Sequence, residues 1–218
     1  MIADVAFAPL AILAFLAACL AVVGGFTWTA FAAATGRRTQ ARVGLVALGI
    51  LLGGYAFSLL GASAFSKEYV LGRGVEKYFC EMDCHLAYSV TGVERRGGVL
   101  FVPLRTRFDE TTTSPRRPKD VPLTPNPREL WVMDAAGNRY APLPAMLGTP
   151  LDRPLKPGDS YETRIAFNVP PEARDLRLWL KNSPWPNTFL ISHENSPLHG
   201  KVLFDLKEDP QDKSAASR

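Results

Sequence analysis

Cys80, Cys84 and His85 fall within six residues of one another in the run Lys77-Tyr-Phe-Cys-Glu-Met-Asp-Cys-His-Leu-Ala-Tyr-Ser-Val90. The chain holds three cysteines and three histidines in all, so half of its thiol and imidazole groups lie here. Two thiols at this spacing can form a disulfide, which an oxidising compartment favours. Two thiolates with an imidazole can instead hold a soft metal, copper or zinc, and an added thioether shifts the preference toward Cu(I). Met82 sits between the cysteines. In an extended strand the two cysteines would lie ~13 Å apart, at ~3.3 Å per residue, whereas a disulfide needs Cα atoms within ~7 Å. On a helical turn, residues four apart share a face. Both chemistries therefore require a turn or tight loop from Cys80 to Cys84. A bridge closing so short a loop stabilises by only about 2 kcal/mol, a weak reason to keep it for folding alone.

The remaining imidazoles are His193 and His199. His193, in Ile191-Ser-His-Glu-Asn-Ser-Pro197, reads as a loop residue. His199 lies just before the last extended segment and is the more distant candidate ligand, completing a metal set of Cys80, Cys84, His85, Met82 and His199. Haem attachment requires C-x-x-C-H, and three residues separate these cysteines. The chain has no G-x-S-x-G, P-loop or H-E-x-x-H pattern, the usual marks of hydrolase, nucleotide and zinc-peptidase chemistry. Its net charge is +4, but the signs alternate and no basic stripe interleaves aromatics, so nucleic acid is not an expected partner.

The elements that must carry this cluster begin in lipid. Residues 5–34 and 43–65 are free of charge, and ~20 apolar residues span a bilayer core. The polar link Thr35-Gly-Arg-Arg-Thr-Gln-Ala-Arg42 makes the pair an antiparallel hairpin. Small residues at helical spacing, Ala14, Ala18, Ala21 and Gly25 in the first segment and Gly49 and Gly53 in the second, could form the close-packing face. Arg37, Arg38 and Arg42 load the link, which places it in the cytoplasm and both ends of the hairpin outside. Leu16-Ala-Ala-Cys19 looks like a lipobox, but the apolar run continues through Leu20-Ala-Val-Val-Gly, so Cys19 reads as a helix residue. Lys67, Arg73 and Lys77 follow the second span and could meet anionic lipid.

Beyond the hairpin the pattern is that of short strands between Gly and Pro turns. Strands are expected at 85–94, 99–108, 129–134, 160–169, 176–180 and 201–206, with a turn at Arg95-Arg-Gly-Gly98 and an extended path after Asn138. Pro103 within the second strand suggests an edge or a bulge. Residues 109–127 form a long Thr- and Pro-rich loop, a solvated connection or a partner-docking surface. Some seven short strands argue a two-sheet sandwich, in which the first and last strands can lie close enough to bring His199 toward the cysteines.

Val132-Met-Asp-Ala-Ala-Gly-Asn-Arg-Tyr140, Leu155-Lys-Pro-Gly-Asp159 and Ile165-Ala-Phe-Asn-Val-Pro170 together resemble the telokin-like, immunoglobulin-like domains of bacterial extracytoplasmic proteins. The resemblance covers about residues 75–206 and implies binding or scaffolding without turnover; its motifs specify fold and leave activity open. The C-x3-C spacing is similar to that of the purple dinuclear copper centre and of copper chaperones of oxidase assembly. It departs from the first by Tyr88 where a histidine is needed and Thr91 where a methionine is needed, and from the second by the absence of a proline after Cys84. The expected organisation is a transmembrane hairpin over 1–66, an all-β immunoglobulin-like sandwich over 67–206 outside the bacterial inner membrane, and a polar tail over 207–218. Three functions fit it: a tethered binding or assembly module, a copper or thiol-redox protein, and an accessory subunit. An accessory subunit would dock on a larger membrane complex through the hairpin or the 109–127 loop.

Overall fold

The computed structural model describes residues 4–79, 85–113, 118, 120–125, 127, 129–144, 147–182 and 185–207, with side chains from residue 9 onward. The chain divides into two compact units, one of Ala6–Lys67 with Trp185–Gly200, the other of Glu68–Pro184 with the segment from Lys201 onward.

The first unit is built on α1 (Asp4–Ala34) and α2 (Arg38–Ala64). Both contain an apolar stretch long enough to cross a membrane, Pro9–Ala34 and Arg38–Ala64. The link is shorter than the polar run suggests, because Arg38 to Arg42 are helical. These residues have good or tolerable helix propensity, and Gly36 ends α1 abruptly at φ +74°. The Gly36 amide donates to Ala33 and the Arg37 amide to Ala32, the paired bonds of a Schellman turn. A left-handed residue at this point turns the chain within one residue of the helix end.

The helices meet at glycines, though only in part the expected ones. A Cβ at Gly25 would lie 2.9 Å from Leu48 Cδ2, and one at Gly44 would lie 2.2 Å from Thr29 Oγ1. Thr29 is buried, and its hydroxyl donates back to the Gly25 carbonyl at 2.6 Å. A Cβ at Gly49 or Gly53 would meet nothing within 4 Å, so the small-residue stripe of the second helix is not the packing face.

The second unit is a sandwich of two sheets. Its strands are β1 (Tyr69–Leu71), β2 (Lys77–Phe79), β3 (Leu86–Val90), β4 (Glu94–Arg96), β5 (Val99–Phe108), β6 (Glu129–Met133), β7 (Arg139–Tyr140), β8 (Leu147–Gly148), β9 (Ser160–Asn168), β10 (Arg177–Lys181) and β11 (Val202–Asp205). One sheet runs β1-β11-β10-β6-β7, the other β2-β3-β5-β9-β8 with β4 also on β5. All pairs are antiparallel except β1 with β11. This is the expected all-β sandwich following two apolar helices. Alternation sets the faces. Leu100, Val102, Leu104 and Phe108 of β5 and Ile165 and Phe167 of β9 meet Leu178, Leu180 and Phe204 of the other sheet in one buried core. Each fully buried Leu or Phe stabilises by about 1.5–3 kcal/mol.

Three expectations change. Pro103 lies in the middle strand of its sheet, between the β3–β4 side and β9. Its carbonyl accepts from the Thr91 amide, where the partner chain passes from β3 to β4. A strand residue's N–H and C=O point to the same side, so the missing donor falls at the break between two partners. Arg95 and Arg96, expected in a turn, belong to β4; the turn itself is Gly97-Gly98, with φ of +55° and +83°. Lys77, expected near lipid headgroups, is buried and donates from Nζ to the carbonyls of Leu180 at 2.7 Å and Val202 at 3.1 Å, tying β2 to the opposite sheet.

Overpacking a close contact costs about 1–3 kcal/mol. Gly44→Leu is therefore expected to lower the stability of the detergent-solubilised full-length protein by that amount, while Gly49→Leu changes it by less than about 0.5 kcal/mol. Thermal unfolding followed by circular dichroism separates the two.

Candidate functional site at the β2–β3 end of the sandwich

Cys80, Glu81, Met82, Asp83 and Cys84 lie outside the described residues; the residues that bracket them do not. β2 and β3 are antiparallel, with Phe79 opposite Leu86. The chain leaves Phe79 and returns at His85 beside a strand partner, where paired Cα atoms are about 4.5–5.5 Å apart.

His85 is buried. Its ring stacks on Phe108 at 5.5 Å, and Nδ1 lies 2.8 Å from Thr112 Oγ1. The Thr112 hydroxyl donates to the Asp109 carbonyl at 2.9 Å. With that hydrogen committed, Thr112 Oγ1 accepts from His85 Nδ1–H, and in the neutral ring the lone pair resides on Nε2. This is the tautomer a metal-binding or proton-accepting histidine uses when its other nitrogen is held by a neighbour.

The turn that holds His85 follows β5. Asp109 caps a short 3₁₀ turn over Glu110–Thr112, its Oδ1 accepting from the Thr111 amide at 3.0 Å and the Thr111 hydroxyl at 2.7 Å. The Asp109 amide donates to the His85 carbonyl at 2.8 Å. Its second oxygen, Oδ2, accepts from Tyr78 OH at 2.6 Å and from Arg107 Nη2 at 3.1 Å. Arg107 also grips Glu76 with two parallel bonds of 2.7 Å, from Nε to Oε1 and from Nη2 to Oε2. Fork-to-carboxylate pairing of this kind is both strong and directional. Glu76, Tyr78, Arg107 and Asp109 thus form one network that fixes the strands on either side of the Cys80–Cys84 link.

The charges follow from that network. Burial pushes the Asp109 carboxyl up, but hydrogen bonds from Tyr78, Thr111 and Arg107 outweigh it and hold the group well below the usual carboxylate range. The Arg107 hydrogen bond chiefly lowers Glu76. Burial, and then the bonds to Asp109 and Glu76, raise Tyr78 well above an ordinary phenol, so it stays a donor.

His199 and His193, the other imidazoles, belong to the unit of the helices. His199 Nδ1 lies 2.7 Å from the Gly200 carbonyl. His193 Nδ1 accepts from the Asn195 amide at 3.0 Å, in a loop as expected. No group of three or more His, Cys, Asp or Glu suited to a metal occurs among the described residues. The 109–127 loop is partly fastened: Leu123 and Leu155 exchange backbone bonds of 2.8 and 2.9 Å. Sequence reasoning missed Trp179, whose buried indole lies under Lys201 at 4.6 Å, Lys181 at 5.4 Å and Arg139 at 5.5 Å. Alternation along β10 puts Trp179 opposite the core residues Leu178 and Leu180, and that pattern could have found it.

A carboxyl depressed by folding stabilises fully above its unfolded value of ~3.9 and loses that contribution as pH falls through and below it. Asp109→Asn is expected to cost about 1–3 kcal/mol at neutral pH and to flatten the acid limb of the stability curve. Urea unfolding of the full chain in detergent, repeated from pH 7 to pH 3, checks both; an unchanged acid limb removes Asp109 from this role.

No family model matches the chain, and no curated protein matches it. Among solved structures it is similar to MPT63, a secreted protein of Mycobacterium tuberculosis, at 12% sequence identity and a TM-score of 0.42, over 63% of this chain and 97% of that one.

Proposed function

We propose that this chain is a two-pass bacterial inner-membrane protein whose sandwich acts on the periplasmic or outer side as a tethered binding or assembly module, without catalytic turnover. The observation that supports it best is the hairpin. Its two long helices leave large apolar side chains exposed, among them Leu13, Leu20, Phe26, Ile50 and Phe57, and join at a turn carrying Arg37 and Arg38. Such surfaces are covered by lipid, and arginines at a short turn favour the cytoplasm. The telokin-like resemblance of the turn motifs around Asp134 and Gly158 agrees with a domain that binds rather than reacts. Asp134 holds its turn through Asn138 and Tyr140, with hydrogen bonds of 2.8 and 2.9 Å. An accessory subunit of a larger complex would use the same hairpin as its docking surface.

Cysteine accessibility tests the topology. With native cysteines replaced, Glu172→Cys in the sandwich should react with a membrane-impermeant maleimide on intact spheroplasts. Thr39→Cys should react only after permeabilisation. The reverse pattern overturns the orientation, and equal reaction of both before permeabilisation overturns the span.

A second reading has its own support. The Phe79–Leu86 pairing sets side by side two residues that flank the Cys80–Cys84 run in sequence, and the His85 tautomer puts its lone pair on Nε2. Cys80, Cys84 and His85, with Met82 and His199 as further candidates, would then handle Cu(I) or exchange electrons as a dithiol–disulfide pair. The reduced, anaerobic full-length protein is expected to retain about one equivalent of Cu(I), and Cys80→Ser/Cys84→Ser to lose at least tenfold in affinity. Equal copper retention by both excludes the cysteine site. A structural disulfide instead appears as two protected thiols released only by reductant.

A further inference from the structure

The segment Trp185–Gly200, between β10 and β11 in sequence, belongs to the unit of the helices. Tyr55 of α2 donates its hydroxyl to the Phe189 carbonyl at 2.7 Å. Phe15 of α1 stacks on Phe189 at 6.4 Å and meets Trp185 edge-on at 6.3 Å, and Trp185 and Phe189 meet at 5.5 Å. The Gly200 amide donates to Ser66 Oγ at 2.6 Å just past the end of α2. The segment is therefore held against the Pro9 end of one candidate span and the Ala64 end of the other.

Depth follows from helix geometry. The candidate spans of 26 and 27 residues are each about 40 Å long at 1.5 Å per residue, some 10 Å more than a ~30 Å hydrocarbon core. Centred in the bilayer, they put Phe15 roughly 5 Å and Tyr55 roughly 9 Å beneath the hydrocarbon boundary. That is the depth at which interfacial elements lie. The segment suits it in two respects. Much of its backbone is paired locally in successive tight turns: the amides of Phe189, Leu190, His193, Ser196 and His199 donate to Pro186, Asn187, Leu190, His193 and Ser196, which lowers the cost of entering a less polar medium. And three of its large apolar side chains are exposed, Trp185 at 67%, Phe189 at 44% and Leu198 at 78%, while Leu190 is buried.

We propose that Trp185–Gly200 is a membrane-interface anchor. Trp185, Phe189 and Leu198 enter the leaflet at the Pro9 and Ala64 ends of the hairpin, and with Phe15 and Tyr55 they form an aromatic girdle at the headgroup–acyl boundary. Tryptophan favours this level because its ring is apolar and its N–H polar. The inference rests on the hairpin spanning a bilayer, and the experiment tests the two separately.

The chain has four tryptophans, of which Trp28 lies within the α1 span. The full-length protein, Trp28→Phe and Trp185→Phe are reconstituted in phosphatidylcholine–phosphatidylglycerol vesicles whose acyl chains are brominated near the headgroup. Trp28→Phe is expected to lose one lipid-quenchable component, and Trp185→Phe to lose another within about twofold of it, with circular dichroism unchanged in both. If Trp28 accounts for quenching and Trp185→Phe matches wild type, the anchor is overturned and the span stands. If neither variant loses quenching, the span fails and the anchor with it.

Discussion

The double hydrogen bond between Arg107 and Glu76 is the interaction on which the candidate site depends. β2 is three residues long and lies at the edge of its sheet, too short for its ladder bonds alone to hold it. Arg107, in the middle strand β5, reaches past β3 to Glu76 at the start of β2 and to Tyr78 within it. The same guanidinium touches Asp109, which shapes the turn that holds His85. One cation thus sets the spacing of three segments around the Cys80–Cys84 link. Its surroundings make it suited to that task, because two carboxylates keep it charged and paired while its side chain remains partly shielded from water. Lys77 provides the matching tie on the interior side, its ammonium bonded to carbonyls of β10 and β11.

The two units solve the packing problem by different means. The sandwich buries a continuous apolar core, the driving force available to any domain in water. Between two helices that are apolar all round, contact depends on backbones coming close. Thr29 over Gly44 and Leu48 over Gly25 provide that closeness. The segment Trp185–Gly200 adds aromatic contacts and a tyrosine hydrogen bond to this otherwise apolar assembly.

The fold is legible in the sequence where a pattern repeats often enough to be unambiguous. β5 and β9 have ten and nine residues, and their alternation defines both limits and faces. The hairpin is legible for the same reason, as uninterrupted apolar length. β1 and β2 are not, because three residues cannot display a period, and the Lys at the head of β2 suggests solvent when it is in fact interior. Pro103 misleads because the rule excluding proline from inner strands assumes an unbroken partner on each side. At the site, the cysteines and His85 are visible by type, but the Glu76, Tyr78, Arg107 and Asp109 network is not: its members are up to 33 residues apart and become neighbours only through strand pairing. The segment Trp185–Gly200 reads as an ordinary loop, since Pro, Asn and Ser recur through it and its two aromatics, Trp185 and Phe189, are too few to display a period.

The parallel pairing of β1 with β11 ties together distant parts of the sequence. Tyr69 follows the hairpin directly, yet its partner Val202 comes roughly 130 residues later. The first strand follows the two apolar helices and has no β11 to pair with until almost the whole sandwich has been made. Closing so long a loop is entropically slow, and β11 pairs with β10 on its other side. Completion of this sheet therefore waits for β11: a polypeptide interrupted before Val202 lacks the strand on which β1 pairs.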